Sequence, residues 1–189
     1  MYSIQPNIII GFHGCSKEIG LKVINGEVDL LYSHNDYDWL GDGVYFWEND
    51  YERALEFAKE TKKEEPFVIG AAIHLGYCLD LTKRQNLQIV QTSYNHLLED
   101  SIKTATENKK GRKDGYHEDI FLRYLDCAVI RAIHKFNTEN GYRDYDSVRA
   151  AFWEGQPIYQ NAGFKEKNHI QICVRNHKSI LGYFLPRNL

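Results

Sequence analysis

The stretch Asp38-Trp39-Leu40-Gly41-Asp42-Gly43-Val44-Tyr45-Phe46-Trp47 constrains this chain more than any other. Two glycines bracket one acidic residue, and a β-branched residue and three aromatics follow directly. A Gly-x-Gly turn lets backbone approach where a Cβ would clash. The run Val44-Tyr45-Phe46-Trp47 has strand composition. Tyr45 is therefore expected at the start of a strand, its ring facing whatever the turn admits. A flat aromatic ligand suits that place because ring faces stack on one another. A hairpin turn backed by core aromatics accounts for the same residues, so the rest of the chain must discriminate.

At 189 residues and 43% hydrophobic, the chain is long enough for one domain with a real core. Its net charge of -3 carries no global basic footprint for nucleic acid, though a local patch is not excluded. Cys15, Cys78, Cys127 and Cys173 are far apart and form no Cys-x-x-Cys pair. They read as buried free thiols of a reducing, cytoplasmic compartment, without zinc spacing, and no metal is expected. No basic segment followed by an apolar run opens the chain, and no apolar run reaches bilayer length, so no membrane partner is expected.

Asn7-Ile8-Ile9-Ile10-Gly11-Phe12-His13 reads as a buried strand. Ser16 then caps a helix with Ile19, Val23 and Ile24 at helical spacing, and Gly26 ends it. Asn49 or Asp50 caps the next helix, whose apolar face is Tyr51, Ala54, Leu55 and Ala58. Residues 67–75 have the composition of a central strand, and 79–82 read as a cap for the segment after them. Helical periods run over 87–102 and 121–136. The polar stretch 103–115 between them, with Lys109-Lys110-Gly111-Arg112-Lys113, is expected to be a mobile loop. Residues 83–140 thus form a helical insertion. A short strand at 148–153 leads to a long loop, 154–167, and loops of that length are usually functional. The next strand alternates strictly, with Ile170, Ile172 and Val174 facing one way and His169, Gln171 and Cys173 the other. A last strand covers 180–185. A strand-rich core with helices in blocks predicts an α+β fold, one domain over 1–189.

Three features stand out: His13 at a strand end before Gly14, Tyr45 behind Gly41 and Gly43, and the pair His169 and Gln171 on one strand face. In this order, with these flanks, the chain resembles the ADP-ribosyltransferase superfamily, in the His-Tyr-Glu branch of poly(ADP-ribose) polymerases and diphtheria-type toxins. Phe12-His13-Gly14-Cys15-Ser16 is similar to that branch's His-Gly-(x)-Ser motif, and Gly41-Asp42-Gly43-Val44-Tyr45-Phe46 to its Gly-x-Gly-Ile/Val-Tyr-Phe motif. Gln171-Ile172-Cys173-Val174-Arg175-Asn176 through Tyr183-Phe184-Leu185 can be laid over its Glu-bearing strand and the strand after it. The resemblance spans both ends of the chain and misses the middle helices.

The resemblance implies a split β-sheet, with an inserted helix pair, that clamps NAD+ as co-substrate. His13 would bond the adenosine-side ribose, the Gly14 backbone would read the nicotinamide amide, and Tyr45 would stack on the nicotinamide ring. Phe57 would supply the second ring of that sandwich, although Glu56 stands at the family's spacing. Ser16, Gly43 and Phe46 complete the cofactor-binding set. Where the family carries its catalytic Glu, this chain has Gln171. An amide still bonds a hydroxyl, but it holds no charge against a developing cation. The implied activity is therefore transfer of single ADP-ribose units with release of nicotinamide, and no polymer. Glu154 is a candidate replacement carboxylate, folded back from the base of the loop. His169 stands where toxin relatives select substrate, and Tyr159 and Phe164 would project toward the acceptor, a protein or a nucleic acid. Compact members of the superfamily act as intracellular toxins of toxin–antitoxin or antiphage systems, so an antitoxin partner is implied. Two other readings remain: a non-catalytic NAD+ or ADP-ribose binding module, and a relative of the RNA 2′-phosphotransferases, with Arg143, Arg149 and Arg175 as the phosphate set.

Overall fold

The computed structural model describes residues 8–61, 65–99, 109–110 and 120–187. Apart from Lys109 and Lys110, the basic run at 109–113 and the polar stretch around it lie outside them. In chain order the elements are β1 (Ile9–Ser16), α1 (Lys17–Ile24), β2 (Val44–Glu48), α2 (Tyr51–Thr61), β3 (Pro66–Ile73), β4 (Cys78–Asp80), α3 (Arg84–Glu99), β5 (Lys109–Lys110), β6 (Ile120–Leu122), α4 (Tyr124–Glu139), β7 (Ser147–Phe152), β8 (His169–Val174) and β9 (Ile180–Phe184). Seven strands form one sheet in the order β4-β7-β8-β2-β1-β3-β9, and β5 and β6 pair separately inside the helical insertion. The expected α+β class stands.

Local chemistry sets the helix ends. Gly26, at φ +72°, follows the end of α1, where a left-handed residue closes a helix. Asp50 is the cap of α2, its Oδ1 accepting from Arg53 N at 2.9 Å. Ala54 and Ala58 of α2 are fully buried, and small side chains there let the helix lie directly on β1. A Cβ on Gly14 would run into the carbonyl oxygen of Ala54.

β1 pairs with β3 from Ile9↔Ile73 to Ser16↔Pro66, but with β2 only at Gly11↔Glu48 and Phe12↔Trp47. Asn49 N donates to Ile10 O at 3.0 Å. Main-chain groups alternate in direction along a strand, so those of Ile10, Phe12 and Gly14 face β2. The next ladder pair in this register is Gly14 with Tyr45, and it is absent. His13 Nδ1 donates instead to Tyr45 O at 2.8 Å. The sheet opens at this point, with β1, β3 and β9 on one side and β2, β8, β7 and β4 on the other.

One face of the sheet buries Val44, Phe46, Ile172 and Val174 with Ile69, Ile73 and Val23 of α1. The other buries Leu40, Val148, Phe152 and Cys173 against Ile130 and Ile133 of α4, while Trp47 packs with Ala54 and Val68 beneath α2. Arg131 of α4 holds the loop before β2, with Nη2 on Asp42 Oδ1 and Nη1 on Asp36 Oδ1, both at 2.6 Å.

One local expectation is corrected. Residues 79–82 read as a cap, yet Cys78–Asp80 forms edge strand β4, parallel to β7. The short strand expected at 148–153 forms, one residue earlier, as the interior strand β7, paired with β8 from Ser147↔Val174 to Phe152↔His169. The loop 154–167 folds on itself as a hairpin, with Lys167 N on Glu154 O, Glu166 N on Gln156 O and Ile158 N on Phe164 O at 2.9–3.1 Å.

β2 lies against β8 only because Gly43 has no side chain: a Cβ there would sit 2.5 Å from Cys173 Sγ and 2.6 Å from Val174 O. Gly43→Ala is expected to destabilise the fold by about 1–3 kcal/mol in urea unfolding. Gly163→Ala, where nothing lies within 4 Å, should leave the midpoint nearly unchanged.

Candidate functional site

The opening in the sheet presents main chain, not side chains. Beyond Phe12, the N–H and C=O of Gly14 and the N–H of Tyr45 face each other across it by strand alternation. A carbonyl only accepts, so the bond to Tyr45 O places a proton of His13 on Nδ1. The imidazole and the phenol leave their strands on opposite faces. His13 lies by Phe46, ring centroids 5.8 Å apart, whereas Tyr45 packs with Leu40, Cys173 and their neighbours. Their contact runs through the Tyr45 carbonyl. The phenol turns back on the glycine turn, donating to Gly41 O at 2.7 Å and accepting from Leu40 N at 2.9 Å. Burial pushes it well above its ordinary pKa.

The other expected cofactor residues stand apart from the opening. Ser16 ends β1 and makes no side-chain capping bond to α1. Phe46 is wholly enclosed in the core on the face away from Tyr45, so it packs the sheet and lines no cleft. The ring of Phe57 meets Trp47, at 4.9 Å, in place of the expected partnership with Tyr45.

A second group gathers at the ends of β7 and β8, where Arg53 of α2 reaches Glu154. Gln171 stands between Trp47 of β2 and Ala150 of β7. His169 and Gln171 keep the expected alternation, but their face is not solvated: they are 7% and 8% exposed. Glu154, 2% exposed, folds back toward them. Its Oε2 accepts from Arg53 Nη2 at 2.9 Å and lies 4.0 Å from His169 Nδ1. His169 Nδ1 donates to Lys167 O at 2.7 Å, and its ring stacks on Phe152 at 5.6 Å. Arg53 lies over the Trp47 ring at 5.8 Å. Glu154 Oε1, His169 Nε2, Arg53 Nε and Nη1 and Trp47 Nε1 are buried without a hydrogen-bond partner. Polar atoms so enclosed are normally satisfied by water or ligand. The cluster mixes acceptors, Glu154 Oε1 and His169 Nε2, with donors, Arg53 and Trp47. Hydroxyl groups, which both give and take, match that mixture.

The chain resembles no family model and no solved structure closely enough to match. An uncharacterised protein of Methanocaldococcus jannaschii is 28% identical to it over 190 aligned residues, covering 87% of this chain and 81% of that one.

Glu154, His169 and Gln171, all singled out by sequence, are therefore gathered on one side of the sheet, and Gly14 and Tyr45 meet across the opening. Tyr159 and Phe164 stand clear on the hairpin, 60% and 61% exposed. Sequence reading misses Arg53, which sits 101 positions from its partner Glu154, and Trp47, whose run reads as strand without a role for its indole. Among the described residues no group of three metal-ligating side chains converges, and no helix is long and apolar enough to cross a membrane.

Burial holds the His169 and His134 imidazoles below the ordinary 6.5. The unfolded chain then binds protons first, so their contribution is intact above about pH 6.5 and is lost as pH falls toward the folded values. Melting curves should show stability dropping as pH falls below about 6.5, with a slope of at most ~1.4 kcal/mol per pH unit for each histidine. His169→Gln should flatten roughly half of that slope.

Proposed function

We propose that this protein is an NAD+-dependent mono-ADP-ribosyltransferase of the His-Tyr-Glu kind. The observation that carries this reading is the opening of the sheet at Gly14 and Tyr45, held by the imidazole of His13. A primary carboxamide can donate an N–H to the Gly14 carbonyl and, through the two lone pairs of its oxygen, accept from the N–H groups of Gly14 and Tyr45. Nicotinamide carries such a group. With that end of NAD+ in the gap, its carboxamide lies between the Gly14 and Tyr45 main chains, while the Tyr45 ring packs behind them against Leu40 and Cys173. The imidazole of His13 borders the gap, where the resemblance has it meet the adenosine-side ribose.

In the reaction the N-glycosidic bond breaks, nicotinamide leaves with its electron pair, and an acceptor lone pair bonds to the anomeric carbon while the acceptor proton passes to a base. Gln171 offers an amide to a ribose hydroxyl, and Glu154 supplies the negative charge that a developing oxocarbenium ion needs. No step needs a metal. Single units are transferred, since the family's acidic residue is replaced by Gln171. Tyr159 and Phe164 on the hairpin, with His169 at its base, meet the acceptor, a protein or nucleic acid. A role in the cytoplasm as a toxin of a toxin–antitoxin or antiphage system, with an antitoxin as partner, fits a compact catalytic domain of this kind.

A binding module that holds NAD+ or ADP-ribose without turnover is the second reading, favoured by the lock of Glu154 on Arg53. The 2′-phosphotransferase reading has its three arginines already paired with carboxylates. Arg149 is engaged by Glu48 and Asp80, Arg143 by Asp146 and Arg175 by Asp144.

Incubation of the purified protein with NAD+ should release nicotinamide, read by chromatography. Glu154→Gln should lower the rate about 10²–10³-fold, and Gln171→Glu should raise it. Tight NAD+ binding without release selects the binding module; neither binding nor release overturns both readings.

A further inference from the structure

β4 stops before β7 does. Its residues pair in parallel with Ser147, Val148 and Arg149, and Leu81 N adds a last bond to Arg149 O at 2.7 Å. The chain then turns away into α3, with Thr82 N and Oγ1 donating to Asp80 Oδ1 at 3.1 and 2.7 Å. β7 continues to Phe152, and Ala150 and Phe152 sit opposite Gln171 and His169 of β8. Because Arg149 turns its main chain toward β4, alternation turns that of Ala151 the same way. Among the described residues nothing takes the N–H or C=O of Ala151 on that edge.

This free edge borders a cavity of about 1130 Å³ between α3, α4 and the sheet. Its walls are apolar, with Leu81, Leu87 and Val90 on the α3 side and Trp39 and Phe152 at the inner end. Two guanidinium groups, Arg84 and Arg123, line it, against the single acid Asp126, which pairs with Arg123 at 3.3 Å. Arg84 makes no ion pair among the described residues.

An unpaired strand edge beside an apolar trough is what an extended peptide recognises when it adds a strand to a sheet: main-chain bonds hold it, and alternate side chains enter the trough. An apolar small molecule would fill the trough and leave Ala151 unpaired. A docked helix would do the same, since its own main chain is already bonded. Phosphates of a nucleic acid would face a lining with few cations. We propose that this groove binds an extended peptide segment of a partner protein, which pairs with β7 at Ala151, places alternate apolar side chains between α3 and Trp39, and sets an acidic side chain by Arg84. The proposal does not depend on the reading of the NAD+ site.

The test is selection of a phage-displayed random peptide library on the full chain. The expected winners alternate apolar residues around a Glu or Asp. Synthetic copies should bind about tenfold more weakly to Arg84→Glu and to Ala151→Pro, the latter being tolerated because its N–H faces no strand. In a native amide-exchange experiment, the Ala151 N–H of the wild-type protein should exchange freely alone and become protected when peptide is added. The proposal is overturned if no peptide is enriched, if the winners bind both variants as tightly as the wild type, or if Ala151 exchange does not slow on binding.

Discussion

A single imidazole stands where a ladder bond would otherwise close the sheet. His13 Nδ1 takes the carbonyl of Tyr45, so β1 and β2 part after Phe12 while each stays bound to its outer neighbour. The arrangement requires close packing on both sides. α2 can cover Gly14 because that residue has no side chain, and β2 can press on β8 because Gly43 has none. The two glycines thus let both halves of the sheet hold their places while the middle stays open. Arg131 reinforces this from α4 by clamping Asp36 and Asp42 beside the turn.

The second constraint is electrostatic. Glu154 and Arg53 are nearly enclosed, with side chains 3% and 11% exposed. Removing one partner of such a pair leaves a buried charge, at a cost of about 3–5 kcal/mol. The pair therefore ties the base of the hairpin to α2 and keeps one carboxylate oxygen unspent. That oxygen, His169 Nε2 and the Trp47 N–H are all buried without a hydrogen-bond partner.

Much of this is legible in the sequence because it is written in local pattern. The turn and strand around Tyr45, the alternation from His169 to Val174, the cap at Asp50 and the two long helices all arise from neighbours within a few positions. What the chain hides depends on distance. Arg53 carries no sign of a partner 101 residues away. The polar side chains of His169 and Gln171 suggest a wet face, yet both are buried. β4 is three residues long, too short for any period to declare itself. Tyr45 is expected to face its ring to a ligand admitted by the turn, and a hydroxyl bond to its own turn, four residues back, with packing on Leu40 and Cys173, holds it there.

The central claim is that the gap between Gly14 and Tyr45 receives a carboxamide. It is tested most directly by titrating nicotinamide into isotope-labelled protein and following the backbone amide resonances. The account predicts saturable shifts centred on Gly14 and Tyr45, abolished in His13→Ala. Shifts confined to other parts of the molecule, or none at saturating nicotinamide, would contradict it.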